Sequence, residues 1–307
     1  MTPGLRIKQQ NCRKSKRVAL SLINTADPAL WDVILIQEPY IHPESTLTTA
    51  SHAWNVLYPS PQSGGPASPS SVILINANLG PHCFQQITIM SNSITAVKLT
   101  PNASSAPITI FNVYNPPNTN RALDILDEQL TAESAPPSCT IIEGNFNKHH
   151  PLWAGMAHPQ RCTGDRAEKL THIISQFDLT LLSPCGTPTY QSDAHGTWST
   201  LDLVFCTADI EDQLLNCFVA HAERLPGADH LLVHFTVNVC PQRSAPTKRN
   251  NFKKVDWPAF TNTLSCQLQD DGITADATIA SATELDEYVR VITHAIQTAI
   301  KKHVPKS

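Results

Sequence analysis

Charge is scarce in this sequence. Asp, Glu, Lys and Arg make up 16% of its 307 residues, and the net charge is −4 with histidine neutral. With 41% apolar residues the chain can bury a sizeable core, which excludes a disordered acidic or basic tail. No apolar run approaches the roughly 18–20 residues of a membrane span. The opening Met-Thr-Pro-Gly-Leu-Arg-Ile-Lys lacks the apolar core of a secretory signal. No Cys-x-x-Cys pair occurs among the nine cysteines. Odd in number and scattered, they read as reduced thiols of an intracellular protein, nuclear or cytoplasmic, and not as a disulfide framework or a zinc cluster. Glycine is sparse, 11 against 24 prolines, which points to long stiffened loops and away from a helical bundle. No repeat of domain-array length is present. Lys and Arg are missing altogether from Val18 to Val97.

The basic residues that do occur are clustered. Arg6, Lys8, Arg13, Lys14, Lys16 and Arg17 fall in the first segment, and nine of the 22 lie from Pro241 onward. Contact with a polyanion must therefore be local, a patch and not a global field.

Short runs rich in Val, Ile and Leu, bounded by Pro, Asn or Ser, predict strands. They are Val33–Ile36, Val72–Ile75, Ile94–Leu99, Ile108–Val113, Thr140–Ile142, Leu201–Cys206 and Leu231–Val239, after a first strand ending at Asn11. Helical spacing appears over Lys14–Ile23, Arg121–Leu130 and Arg166–Phe177. The unequal connections favour an α/β sandwich over a repeating barrel. Loops rich in Pro, Ser and Gly are expected at Pro59–Ser71 and Pro184–Thr200. Pro241–Asn251 reads as a basic linker. Trp257, Phe260 and a further helix follow it. That helix has capping-box spacing at Ser281 and Glu284, then an apolar stripe of Leu285, Tyr288, Val289, Ile292, Ile296 and Ile300. The stripe suits either a helix packed on the domain or a stalk toward another domain.

Polar residues gather at the predicted strand ends: Asn11, Gln37-Glu38, Tyr114-Asn115, Gly144-Asn-Phe-Asn147, Asp202 and Asp229-His230. Such residues converge where a rigid sheet edge presents catalytic groups. Taken singly, each also reads as a turn or a solvated cap. Together they fit a metal-assisted phosphodiesterase. A hard cation such as Mg2+ takes one or two carboxylates plus a carbonyl oxygen and keeps waters, so Glu38, Asp229 and the Asn11 amide are its candidate ligands. His230 is the candidate donor to the phosphate, with Asp202 fixing its tautomer, and Tyr114 and Asn147 positioning the phosphate. His149 and His150 with His158 or Cys162 match no recurrent zinc spacing. The Arg13–Arg17 run reads more readily as the solvent face of the first helix than as a phosphate contact, with Val18, Leu20 and Leu22 turned toward the core.

The ordered motifs are Gln-Gln-Asn11 with Arg-Lys-Ser15, Leu-Ile-Gln-Glu38-Pro-Tyr, Val-Tyr114-Asn-Pro-Pro, Gly144-Asn-Phe-Asn147-Lys-His-His150-Pro-Leu-Trp153, Ser-Thr-Leu-Asp202 and Asp229-His230. Over roughly Leu5 to Val239 they resemble the endonuclease/exonuclease/phosphatase superfamily, whose fold is that of deoxyribonuclease I. Within it they are similar to the endonuclease domain of LINE-type non-LTR retrotransposons. The resemblance implies a four-layer α/β/β/α sandwich over residues 1–240, with residues 241–307 a basic linker and helical tail. It implies Mg2+- or Mn2+-dependent cleavage of DNA, double-stranded by expectation, with no membrane and no small-molecule cofactor. It also implies a reverse transcriptase domain that these 307 residues have no room for. Carried over, Asn11, Glu38 and Asp229 match metal-site or phosphate-site positions, Tyr114 and Asn147 phosphate-positioning ones, and Asp202 with His230 the Asp–His pair.

Asn145 departs from the family pattern. The motif reads Gly-Asp-Phe-Asn, and its Asp orients or deprotonates the attacking water. Lys148 stands where a small residue is common, and Ala228 where Ser often precedes Asp-His. An amide takes no proton at neutral pH, so impaired hydrolysis is expected. The alternatives are a non-catalytic remnant that binds nucleic acid or protein, and a phosphatase or phosphodiesterase acting on small substrates.

Overall fold

The computed structural model describes residues 4–60, 68–101, 106–132, 139–155, 167–243, 250–274 and 279–306. His158, Cys162, Arg166 and most of the predicted linker lie outside the described residues. Among those described, no helix is long and apolar enough to cross a membrane.

In chain order the elements begin with β1 (Leu5–Asn11), α1 (Lys16–Thr25), β2 (Val33–Gln37), β3 (Trp54–Leu57) and β4 (Ser71–Asn76). Next come β5 (Phe84–Ile87), β6 (Ile94–Leu99), β7 (Ile108–Tyr114), α2 (Arg121–Ala132) and β8 (Thr140–Asn145). After these follow α3 (Pro151–Ala154), α4 (Glu168–Gln176) and the two-residue strands β9 (Thr180–Leu181), β10 (Tyr190–Gln191) and β11 (Trp198–Ser199). The rest are β12 (Asp202–Cys206), α5 (Ala208–Glu211), β13 (Leu214–Val219), β14 (Val233–Val237), α6 (Trp257–Asp270) and α7 (Ala282–His303).

Two six-stranded sheets form, ordered β13-β14-β1-β2-β4-β3 and β5-β6-β7-β8-β12-β9, with β10-β11 a separate hairpin. Ile7, Leu35, Ile73, Val97, Ile110, Val204 and Phe235 fill the space between the sheets. Leu123, Leu126 and Leu130 of α2 and Leu170 and Ile173 of α4 cover the outer face of the second sheet. Val18 and Leu22 of α1 cover the first, over Ile34, Ile36 and Leu74. The layers run α/β/β/α, as the resemblance implies. Every residue of β2 and β4 is buried, because helix or loop covers one face and the partner sheet the other. Each fully buried Leu or Ile contributes about 1.5–3 kcal/mol to this packing.

Several boundaries differ from the sequence reading. The first helix begins at Lys16 because Arg13 and Lys14 take left-handed φ angles of 43° and 57°, and Ser15 then caps the helix by accepting from Val18 N. Leu20 is exposed, not core-facing. The last strand of the sheets is shorter than Leu231–Val239. β3, β5 and β13 were not expected at all. They are edge strands with half-exposed residues and no continuous apolar run.

The chain divides into two compact units, Met1–Ser244 and Ala245–Ser307. In the second, α6 and α7 pair. Ala295 and Ala299 are buried, and the Thr263 hydroxyl bonds His303 Nε2 at 2.7 Å. Ser281 caps α7 by accepting from Glu284 N, as its spacing predicts. Leu285, Val289 and Ile296 of the expected stripe are nevertheless exposed. The 14 residues of α6 span about 21 Å, too short to cover the about 33 Å of the 22-residue α7.

Gly144 lets β7 and β8 approach beside the site. A Cβ there would lie 1.8 Å from Val113 O. Gly144→Ala should cost about 3 kcal/mol or more in urea unfolding, by overpacking against backbone. Gly196→Ala, at φ +62° with nothing within 4 Å, should cost only about 1 kcal/mol.

Candidate functional site

Topology brings the polar strand ends to one edge. β1 runs parallel to β2, with Asn11 opposite Gln37, and β7 runs parallel to β8, with Tyr114 opposite Asn145. These four strands end on the same side. β12 is antiparallel to β8, so its first residue, Asp202, faces Asn145 across the ladder. β14 is antiparallel to β1, so the approach to it delivers Asp229 and His230 to that edge as well.

Asp202 and His230 form a buried pair. Nδ1 of the imidazole and Oδ2 of the carboxylate are 2.7 Å apart. Gln9 Nε2 donates to the other oxygen, Oδ1, at 3.0 Å. Gln9 is held in turn by Gln37, whose amide donates to Asn112 Oδ1 at 2.6 Å. Asn112 donates back to Ile36 O and Val72 O in the opposite sheet. Thr189 secures the pair from the other side. Its hydroxyl accepts from Asp202 N at 2.9 Å, and its carbonyl accepts from Leu231 N at 2.7 Å. With Nδ1 committed to Asp202, Nε2 is the ring nitrogen left for a substrate oxygen. Burial pushes the His230 pKa down, but Asp202, helped by Asp229 and Glu38, more than offsets this and raises it above the ordinary value.

Glu38 sits in a left-handed conformation, φ 45°. Its N–H donates to Ser70 O and its carbonyl accepts from Lys14 N, which fixes the turn. Asn11 Nδ2 donates to Glu38 Oε1 at 3.0 Å, while Asn11 Oδ1 accepts from Arg13 N at 2.7 Å. Asn11 thus orients Glu38 through its amide nitrogen, while its oxygen, the expected metal ligand, accepts from backbone. Burial first, then the nearby Glu38 carboxylate, pushes the Tyr114 phenol pKa upward. Asp229 pairs with Arg13 Nε at 3.4 Å, and its buried Oδ1 has no partner among the described residues.

Asn145 is buried. Its Oδ1 accepts from Asn147 N at 3.0 Å, and Asn147 Nδ2 donates to Asn115 O at 2.9 Å. Lys148 is buried beside this turn, with Nζ donating to Thr119 O at 2.9 Å. A cavity of about 490 Å³, lined by Asn118, Asn120, Asn147, Lys148 and His149 among others, opens next to Asn147. Ala228 is buried, and His150 caps α3 by accepting from Leu152 N.

Sequence reasoning missed Gln9, Asn112, Thr189 and Glu143. Glu143 lies between the sheets, and among the described residues neither of its oxygens has a hydrogen-bond partner. Burial, with Asp202 adding, raises its pKa well above that of an ordinary carboxyl. The available signal was a polar residue breaking an apolar strand at an inward position: Asn112 in Ile-Phe-Asn-Val and Glu143 in Thr-Ile-Ile-Glu.

Comparison with known proteins supports the fold. Residues 108–234 match the family described as endonuclease-reverse transcriptase. That span contains Tyr114, Asn145, Asn147, Asp202, Asp229 and His230. No curated protein sequence matches the chain. Among solved structures, the endonuclease domain of TRAS1, a telomere-specific non-LTR retrotransposon, aligns with TM-score 0.61 at 20% identity, over 76% of this chain and 98% of that one. AP endonuclease LMAP from Leishmania major aligns at 0.59 and 14%, over 76% and 88%. The 3' phosphatase NExo from Neisseria, bound to product DNA hairpin, aligns at 0.55 and 13%, over 76% and 99%. The chain thus has the endonuclease/exonuclease/phosphatase fold and resembles the endonuclease domain of non-LTR retrotransposons.

The Asp202–His230 contact can be tested by titration. The folded pKa of His230 is raised, so its proton adds stability that is full below about pH 6.5 and is lost as pH rises through the folded value. In Asp202→Asn the ring pKa, followed by NMR, should fall by about 1 unit or more. An unchanged value would mean that the pair does not form.

Proposed function

We propose that this chain is a metal-dependent phosphodiester hydrolase that nicks double-stranded DNA, of retrotransposon-endonuclease type, with hydrolysis slowed by Asn145. The observation that carries the reading is the buried Asp202–His230 pair at 2.7 Å, set at the strand-end edge beside Glu38 and Asp229.

The donor chemistry fits a hard cation. Among the described residues no group of three His, Cys, Asp or Glu side chains is placed to hold a metal ion. Mg2+ and Mn2+ are content with one or two carboxylates and water. Glu38, steadied by Asn11, and Asp229, whose buried Oδ1 has no partner among the described residues, would hold the ion. When bound it would offset charge on the phosphoryl and leaving oxygens.

The protein's own groups do the rest. Asp202, steadied by Gln9, fixes the His230 ring with Nδ1–H toward the carboxylate, and the protonated ring donates from Nε2 to a phosphate oxygen. Tyr114 and Asn147 position the phosphate. Asn145 can hydrogen-bond a water but cannot take its proton.

Plasmid nicking with Mg2+ tests the reading. Asn145→Asp should raise the rate roughly 100- to 10,000-fold, the usual worth of a general base. If the correctly folded Asp variant is also inert, the proposed site is wrong. Salt-dependent DNA binding without cleavage by either form would favour the non-catalytic alternative, and faster turnover of a soluble phosphoester the small-substrate one.

A further inference from the structure

Arg13 stands apart from the other basic residues of the first segment. It precedes α1, in a left-handed turn with Lys14. Non-glycine residues adopt that conformation where their surroundings hold them in it. The holding contacts run to the candidate site, from Arg13 N to Asn11 Oδ1 and from Lys14 N to Glu38 O. From this turn the guanidinium reaches two carboxylates: Asp193, between β10 and β11, in a hydrogen-bonded ion pair, and Asp229 at 3.4 Å.

The three side chains form a gradient of exposure. Asp229 is 11% exposed, Arg13 43% and Asp193 61%. Asp229 belongs to the floor of the site and Asp193 to its mouth. An ion pair as exposed as Arg13–Asp193 is weak. A phosphodiester offers a guanidinium the same two-oxygen geometry as a carboxylate.

We propose that Arg13 is a phosphate-binding residue, held by Asp193 in the free protein and transferred to a backbone phosphate when a DNA strand docks. The proposal rests on the reading of DNA as the partner. Glu38, Asp202 and Asp229 share one edge and repel an incoming phosphate, and among the described residues Arg13 is the Lys or Arg that pairs with this cluster. Two further guanidinium side chains border the turn before His230. Arg17 Cδ lies 3.7 Å from the position a Cβ on Gly227 would take, and Arg224 Nε donates to Ala228 O at 3.0 Å. They continue the positive edge along the path of neighbouring phosphates.

The test is binding of a short labelled duplex to the full chain, in EDTA, across a range of salt. Arg13→Ala should weaken binding about tenfold and lower the salt slope by about 1. Asp193→Ala, at an exposed position that does not threaten folding, should tighten binding severalfold. That gain should vanish in the Arg13→Ala background. Wild-type binding that does not respond to Arg13→Ala, or an equal gain from Asp193→Ala in both backgrounds, would overturn the role of Arg13 alone. Absence of wild-type binding at low salt would overturn the DNA reading and this proposal with it.

Discussion

One buried polar chain ties the site to the sandwich. It runs Asn112–Gln37–Gln9–Asp202–His230 and crosses between the sheets twice, from Gln37 to Asn112 and from Gln9 to Asp202. Apolar side chains fill most of the remaining space between the sheets and are indifferent to small slides. Buried amides are not, because each lost partner leaves a desolvated group that costs about 1–3 kcal/mol. At the site end the two sheets are therefore held in one register. A slip of one residue in β1 would turn Gln9 away from Asp202 and bring Lys8 or Gln10 to its place.

The same constraint explains why the catalytic candidates lie where they do. Two parallel strand pairs, β1–β2 and β7–β8, end together, and the antiparallel β12 and β14 begin there. The chain thus supplies functional side chains from both ends of strands without long excursions. Glu38 and Asn147 take left-handed angles at this edge, φ 45° and 52°. Strain of this kind persists where the surroundings over-determine it, and here Ser70, Lys14 and Asn145 supply the fixing hydrogen bonds.

Much of this was legible in the residues. The continuous Val-Ile-Leu-Ile and Ser-Val-Ile-Leu-Ile runs announce strands buried on both faces. Leu123, Leu126 and Leu130 announce a helix. The motifs at the strand ends were readable as an ordered set. Edge strands were not: Leu214–Val219 alternates half-buried with exposed residues and gains its strand character from pairing with β14. Gln9 was also opaque, since a buried amide within a polar stretch acquires meaning only from a partner in the other sheet. Arg13 was misread because its turn is imposed by contacts to Asn11 and Glu38, which a helical wheel does not contain.

Asn145 can be understood in the same terms. It faces Asp202 across the ladder, almost fully buried, on a strand that also carries the buried Glu143. A carboxylate at position 145 would add a charge beside Asp202 where water is excluded, and burying an uncompensated charge is costly. The amide keeps the acceptor that receives Asn147 N and so preserves the turn, while removing the repulsion. It gives up the one property an amide cannot imitate, accepting a proton. An amide at position 145, which in the proposed reading slows hydrolysis, thus also relieves charge crowding beside Asp202.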